Sequence, residues 1–303
     1  MPDSTFRSFH SLSVKHPGFA IHPRLWTSHH LSIVNCTFQQ VETGDAYVPV
    51  GFYTQTAERL AESAKKLARG DTPDTKFLWV ESLLLREGTS PIAFITTPLS
   101  FYYGKRRVRL ADSHVHIFCI KEEISIPHVD PVMGYYRYNA DEQRQKRFRA
   151  PRAPSGLNNN PVQRKYDTRY RKVTPEDLRK DPYLVCILLS LAQLQHRKSY
   201  GPRGLFLARL LVTHLADHTD AYVYKADIPH QLLESLDHPT RSIEDFDFPT
   251  VRYVKVPFKP YSTFAERVQI HLAGAEYSPR PEPGRSDQVA SSEPRGKKRK
   301  RDE

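Results

Sequence analysis

Apolar residues recur along this chain in two rhythms, one helical and one alternating. Ala57, Leu60, Ala61, Ala64, Leu67 and Ala68 keep helical spacing, with Thr56 placed to cap and Gly70 placed to stop, and they predict a helix over Ala57 to Arg69. Phe77 to Leu85 reads as a buried strand, and Ile92 to Thr97 as its hairpin partner across a turn at Arg86 to Pro91. Short strands are expected at Arg106 to Leu110 and His114 to Lys121. Thr174, Pro175, Glu176 and Asp177, then Asp181 and Pro182, mark a short turn feeding a helix that runs to about Arg197. That helix is apolar on nearly all sides and is expected at the centre of the core. Leu205 to Leu215 and Ala221 to Ile228 read as strands joined at Asp217 to Asp220. Gln231 to Leu236 reads as a short helix and Val251 to Val256 as a strand. A last helix is expected to open on a Thr263 and Glu266 capping box.

This order predicts an α+β fold, with a single mixed or antiparallel sheet, packed helices and one interruption. The interruption is compositional. Residues 137–172 hold eleven Lys or Arg against three acids, a balance of +8, together with Pro151, Pro154, Pro161 and three consecutive asparagines. Residues 278–303 hold eight against five, a balance of +3, with four prolines and Val289 as their only aliphatic side chain larger than alanine. These two balances account for the whole formal charge of +11. Neither segment offers enough apolar surface to offset the entropy of ordering, so both are expected to be disordered. The expected division is 1–136 and 173–277 as two parts of one domain, 137–172 as a basic insertion, and 278–303 as a basic tail.

Arginines of the insertion fork onto phosphate and stack on bases, and Phe148, Tyr166 and Tyr170 are interleaved with them. The candidate nucleic-acid contacts are Arg144, Lys146, Arg147, Arg149, Arg152, Arg164, Lys165, Arg169, Arg171 and Lys172. An acidic protein partner and a merely solubilising linker are the alternatives. Lys297, Lys298, Arg299, Lys300 and Arg301 form an uninterrupted cationic run that suits a nuclear import receptor.

Three well-separated cysteines, Cys36, Cys119 and Cys186, give no disulfide framework and fit a reducing compartment. No apolar leader is evident, and the most apolar run, Tyr183 to Leu194, is about half a membrane span. A soluble nuclear protein without a membrane partner or cofactor is expected.

Catalytic signatures are few. Asp112, His114 and His116 alternate along an expected strand and form a candidate metal set, with solvent-facing packing as the alternative. His214 and His218 have the spacing of zinc-protease ligands, but Leu215 stands where that chemistry needs a glutamate, so turn residues are the expectation. Glycine-rich phosphate loops, nucleophile elbows and kinase motifs are absent from the sequence.

Two resemblances add to this reading. The element order resembles the core of the PD-(D/E)xK nucleases, whose acid followed by acid-x-Lys would fall on Asp112 and then Cys119, Ile120 and Lys121. The resemblance implies Asp112 and Lys121 as candidate catalytic residues, and Cys119 in the place of the second acid implies an inactive relative. Asp181 to Val185, Leu191 to Gln193, Tyr222 to Tyr224 and Pro229 to Pro239 are similar to a group of proteins from filamentous ascomycete fungi, a resemblance that implies no activity, cofactor or site. The expected function is a non-enzymatic nuclear interaction module. The alternatives are a nuclease-like fold and a scaffold without nucleic-acid contact.

Overall fold

The apolar run after Asp181 builds the centre of the molecule. The computed structural model describes residues 7–42, 54–70, 73–85, 90–110, 115–125, 130–139, 160–198, 204–244, 247–274 and 277. Its helices are α1 Phe9–Lys15, α2 Ser28–Ile33, α3 Thr54–Arg69, α4 Pro73–Leu84, α5 Asn160–Val173, α6 Pro182–Lys198, α7 His230–Asp237 and α8 Tyr261–Ala273. Helix α6 is buried continuously from Pro182 to Gln193. Asp181 fixes its entrance: one carboxylate oxygen accepts the Tyr183 N–H at 2.9 Å, and the other accepts the Tyr138 hydroxyl at 2.7 Å.

Helix α6 lies on one face of a mixed seven-stranded sheet. The strands are β1 Phe38–Val41, β2 Ile92–Ile95, β5 Val115–Ile120, β6 Val132–Tyr138, β7 Leu205–His214, β8 Asp220–Pro229 and β9 Val251–Pro257, in the order β1-β9-β8-β7-β6-β5-β2. The β1–β9 and β6–β7 pairs are parallel and the rest antiparallel. The expected α+β class with a mixed sheet is therefore what the chain forms. Strand alternation sends Phe206, Ala208, Leu210 and Val212 of β7 toward α6, while Leu211 joins the core under α3, α4 and α8 on the other face. A separate hairpin, β3 Ser100–Tyr103 and β4 Arg106–Arg109, packs on the α6 side. Gly104 and Lys105 both take positive φ at its tip, the geometry of a two-residue turn matched to strand twist.

Several expectations need correction. Residues 77–85 are not a strand: Pro73–Leu84 is helix α4. Lys76, Val80, Leu83 and Leu84 are all buried, a spacing that only a helix puts on one face, while Leu78 is exposed. The expected hairpin disappears with it, and β2 instead pairs with β5 through Ile92 and Ile120. Elements α1, α2, β1, β3 and β6 were not expected. The Thr263 and Glu266 capping box does not form, because α8 opens three residues earlier on Pro260 and Glu266 is buried inside it. The basic insertion is not one structureless unit. Arg137 lies in β6 at 6% exposure, and residues 160–173 are helix α5. Residues 140–159 and the 278–303 tail lie outside the described residues. Among the described residues, no helix is long and apolar enough to cross a membrane.

Candidate functional site

Helix α5 begins with Pro161 in its first turn, where the missing N–H costs nothing. Val162, Tyr166, Tyr170 and Val173 follow at intervals of four, four and three and form one half-buried stripe. The Tyr166 and Tyr170 rings stack with centroids 6.1 Å apart. Arg164, Lys165, Arg171 and Lys172 fall on the opposite side and are exposed. They make two rows, 164 with 171 and 165 with 172, each spanning about 10 Å at the helical rise. Asp167, the single acid of this helix, stands one turn from both Arg164 and Arg171 at the edge of that face and accepts a hydrogen bond from Gln163 at 2.9 Å. Arg169 belongs to the same helix.

The C-terminal end of α5 opens into a polar cleft of about 480 Å³. Arg171, Lys172 and Lys180 supply its cations, Thr27 and Ser28 at the start of α2 form the facing wall, and Glu176 and Asp177 are its acids. Asp177 is already engaged: Arg179 donates to its Oδ1 through Nε at 2.8 Å and through the backbone N–H at 3.0 Å. Burial acts to raise the Asp177 carboxyl, and the hydrogen bonds and charge of Arg179 overcome it, leaving the pKa below the ordinary value. Lys180 and the α2 residues were not among the sequence candidates, since only the fold brings them to α5.

Behind the cleft lies a buried polar cluster. His214 ends β7 between the rings of Tyr138, 4.9 Å away, and Tyr222, 5.3 Å away. Its Nε2 is buried without a hydrogen-bond partner. Desolvation drives its pKa down to about 4; Asp217 and Asp177 oppose that shift, while Arg179 and Lys76 add to it. The fully buried Lys76 donates to the His214 backbone carbonyl at 3.4 Å. Tyr222 donates to Asp217 at 2.9 Å, and the same carboxylate collects Thr219 and the Asp220 N–H. His218 sits in the following turn with Nδ1 2.7 Å from the Ala68 carbonyl. His214 and His218 therefore face different partners, as expected of strand and turn residues.

The remaining sequence candidates do not converge. His116 lies flat on Phe77, with ring centroids 3.5 Å apart, and neighbours Phe94 and Tyr135, so it belongs to an aromatic stack. Asp112 and His114 lie outside the described residues. Among the described residues, no three His, Cys, Asp or Glu side chains are grouped to hold a metal. Lys121 follows β5 and donates its backbone N–H to Pro91. Cys119 sits in β5 opposite Ala93, and burial raises its thiol pKa. Arg144, Lys146, Arg147, Arg149 and Arg152 also lie outside the described residues, as do Lys297, Lys298, Arg299, Lys300 and Arg301. No protein-family model matches the chain, and a search among curated proteins finds no match.

Proposed function

We propose that this protein is a non-enzymatic interaction module that contacts nucleic-acid phosphates through the exposed face of α5. The observation that supports this is the placement of Arg164, Lys165, Arg171 and Lys172 on one solvent-facing side of an amphipathic helix. The stripe of Val162, Tyr166, Tyr170 and Val173 on the opposite side leaves the cations facing outward. Four cations on a short helix attract a polyanion by charge and counterion release, without reading bases. Lys180, which shares the cleft with Arg171 and Lys172, extends the patch past the end of the helix. The run Lys297, Lys298, Arg299, Lys300 and Arg301 serves as the nuclear address of such a module.

The test is fluorescence anisotropy with a mixed-sequence DNA duplex over a salt series. The comparison is the native chain against the quadruple variant R164Q/K165Q/R171Q/K172Q, since glutamine preserves helix propensity while removing charge. If all four cations contact phosphates, the slope of log affinity against log salt shallows by about 3 to 4. An unchanged slope, with helix content held equal by circular dichroism, removes α5 as the contact surface.

A further inference from the structure

A second feature, independent of the basic helix, lies on the α6 side of the sheet. Residues 19–26, α1, the β3–β4 hairpin and Leu236 of α7 line a partly open cavity of about 260 Å³. Its aromatic walls form a ladder. Phe9 stacks on Phe19 with centroids 6.3 Å apart, Phe19 on Trp26 at 6.3 Å, and Trp26 meets Phe101 edge-on at 6.4 Å. Protein interiors are packed to crystal density, and voids larger than a water molecule are few. A space of about 260 Å³ among aromatic side chains has the lining of a ligand site and the size for a ligand smaller than a drug-sized one. No Lys, Arg, Asp or Glu lines it, and its titratable members are His22 and Tyr103. A charged ligand would lose its hydration there without compensation.

We propose that this cavity binds a neutral, planar aromatic compound of two fused rings. A cavity of about 150 Å³ accommodates benzene, so one of about 260 Å³ takes about ten non-hydrogen atoms. The flat walls favour offset stacking and edge contacts over an aliphatic chain. The Trp26 indole N–H is itself buried, so Trp26 offers a ligand its ring rather than a hydrogen-bond donor.

Quinoline is a suitable probe, planar, with two fused rings and no charge at neutral pH. The chain has two tryptophans, so a ¹⁵N-correlated spectrum carries two indole signals. Trp79 is half-buried against the core on the opposite face of the sheet and is the internal control. Quinoline is expected to shift the Trp26 signal saturably at sub-millimolar concentration and leave the Trp79 signal in place. Val108→Phe, which grows into the cavity, should abolish the saturable shift. Ala20→Phe at the exposed mouth should weaken it at least tenfold, and it keeps the test open if Val108→Phe fails to fold. A Trp26 signal that stays put up to the solubility limit overturns the proposal. So does equal movement of both indole signals, or full binding by a folded filling variant.

Discussion

Replacing His214 should remove a defined part of the acid sensitivity of this fold. The imidazole is 8% exposed and held neutral, with its pKa at about 4 in place of the ordinary 6.5. Desolvation between Tyr138 and Tyr222 is the main cause, and the carboxylates of Asp217 and Asp177 recover only part of it. The unfolded chain therefore takes up this proton first as pH falls. Stability from the neutral histidine is complete above about pH 6.5, declines below it, and is gone once pH passes the folded value of about 4. At 1.36 kcal/mol per pKa unit, a fall from pH 7 to pH 5 costs about 2 kcal/mol through this residue. Asp177 and Asp217 have pKa values held below 3.8, so they do not titrate in this window. His30, His196 and His271 are also lowered by burial and add their own losses, which is why the comparison must be a difference. The assay is urea unfolding at pH 7 and pH 5 for the native chain and His214→Gln. Lys76 donates to the backbone carbonyl of residue 214, so the substitution preserves that bond. The native chain should lose about 2 kcal/mol more than the variant, about 0.6 M or more in urea midpoint for a chain of this size. Equal losses in both proteins would show that His214 is solvated or charged in the fold, and the reasoning would fail.

Two further outcomes are open to measurement. Gly134 in β6 leaves no room for a side chain, since a Cβ there would sit 2.9 Å from Leu210 Cδ1 and 3.1 Å from Leu191 Cδ1; Gly134→Ala should lower unfolding stability by about 1–2 kcal/mol, and Leu191→Ala in the same chain should cost less than it does alone. For the tail, a fluorescent fusion truncated before Lys297 should spread evenly between nucleus and cytoplasm while the full chain concentrates in the nucleus, and retained nuclear enrichment would assign import to another segment.

The sequence was most legible where one periodicity dominated over a long stretch. Helix α6 reads unambiguously because thirteen of its residues are buried, so nearly every position carries the same signal. The β7–β8 pair reads as well, its ten-residue strands joined by an Asx-rich turn at Asp217. Misreading came from short apolar runs. Phe77 to Leu85 contains a continuous apolar block, yet the decisive clue was Lys76, a charged residue on the buried face of α4 that no hydrophobic pattern includes. Strand β6 escaped notice because Tyr135, Tyr136, Arg137 and Tyr138 look half polar, although all four are buried and Tyr135 and Tyr138 direct hydroxyls to Thr213 and Asp181. The tyrosine hydroxyls satisfy themselves within the core, so polarity there is not a sign of solvent.

The same distinction reshapes the charge argument. A formal count placed eleven cations in one basic segment and treated them as a unit. The fold divides them. Arg137 is enclosed in the sheet and contributes nothing to an external patch. Arg164, Lys165, Arg171 and Lys172 gain a common face only because Val162, Tyr166, Tyr170 and Val173 turn the opposite way. That apolar stripe was present in the sequence at helical spacing, hidden beneath the prolines and asparagines before it and the cations between its members. Its consequence is electrostatic: cations fixed in two rows lose less conformational freedom on meeting a polyanion than the same cations on a loose chain. A basic helix therefore spends less of its Coulomb attraction on ordering, and the salt slope it produces reflects contacts that are spatially prearranged rather than formed one by one.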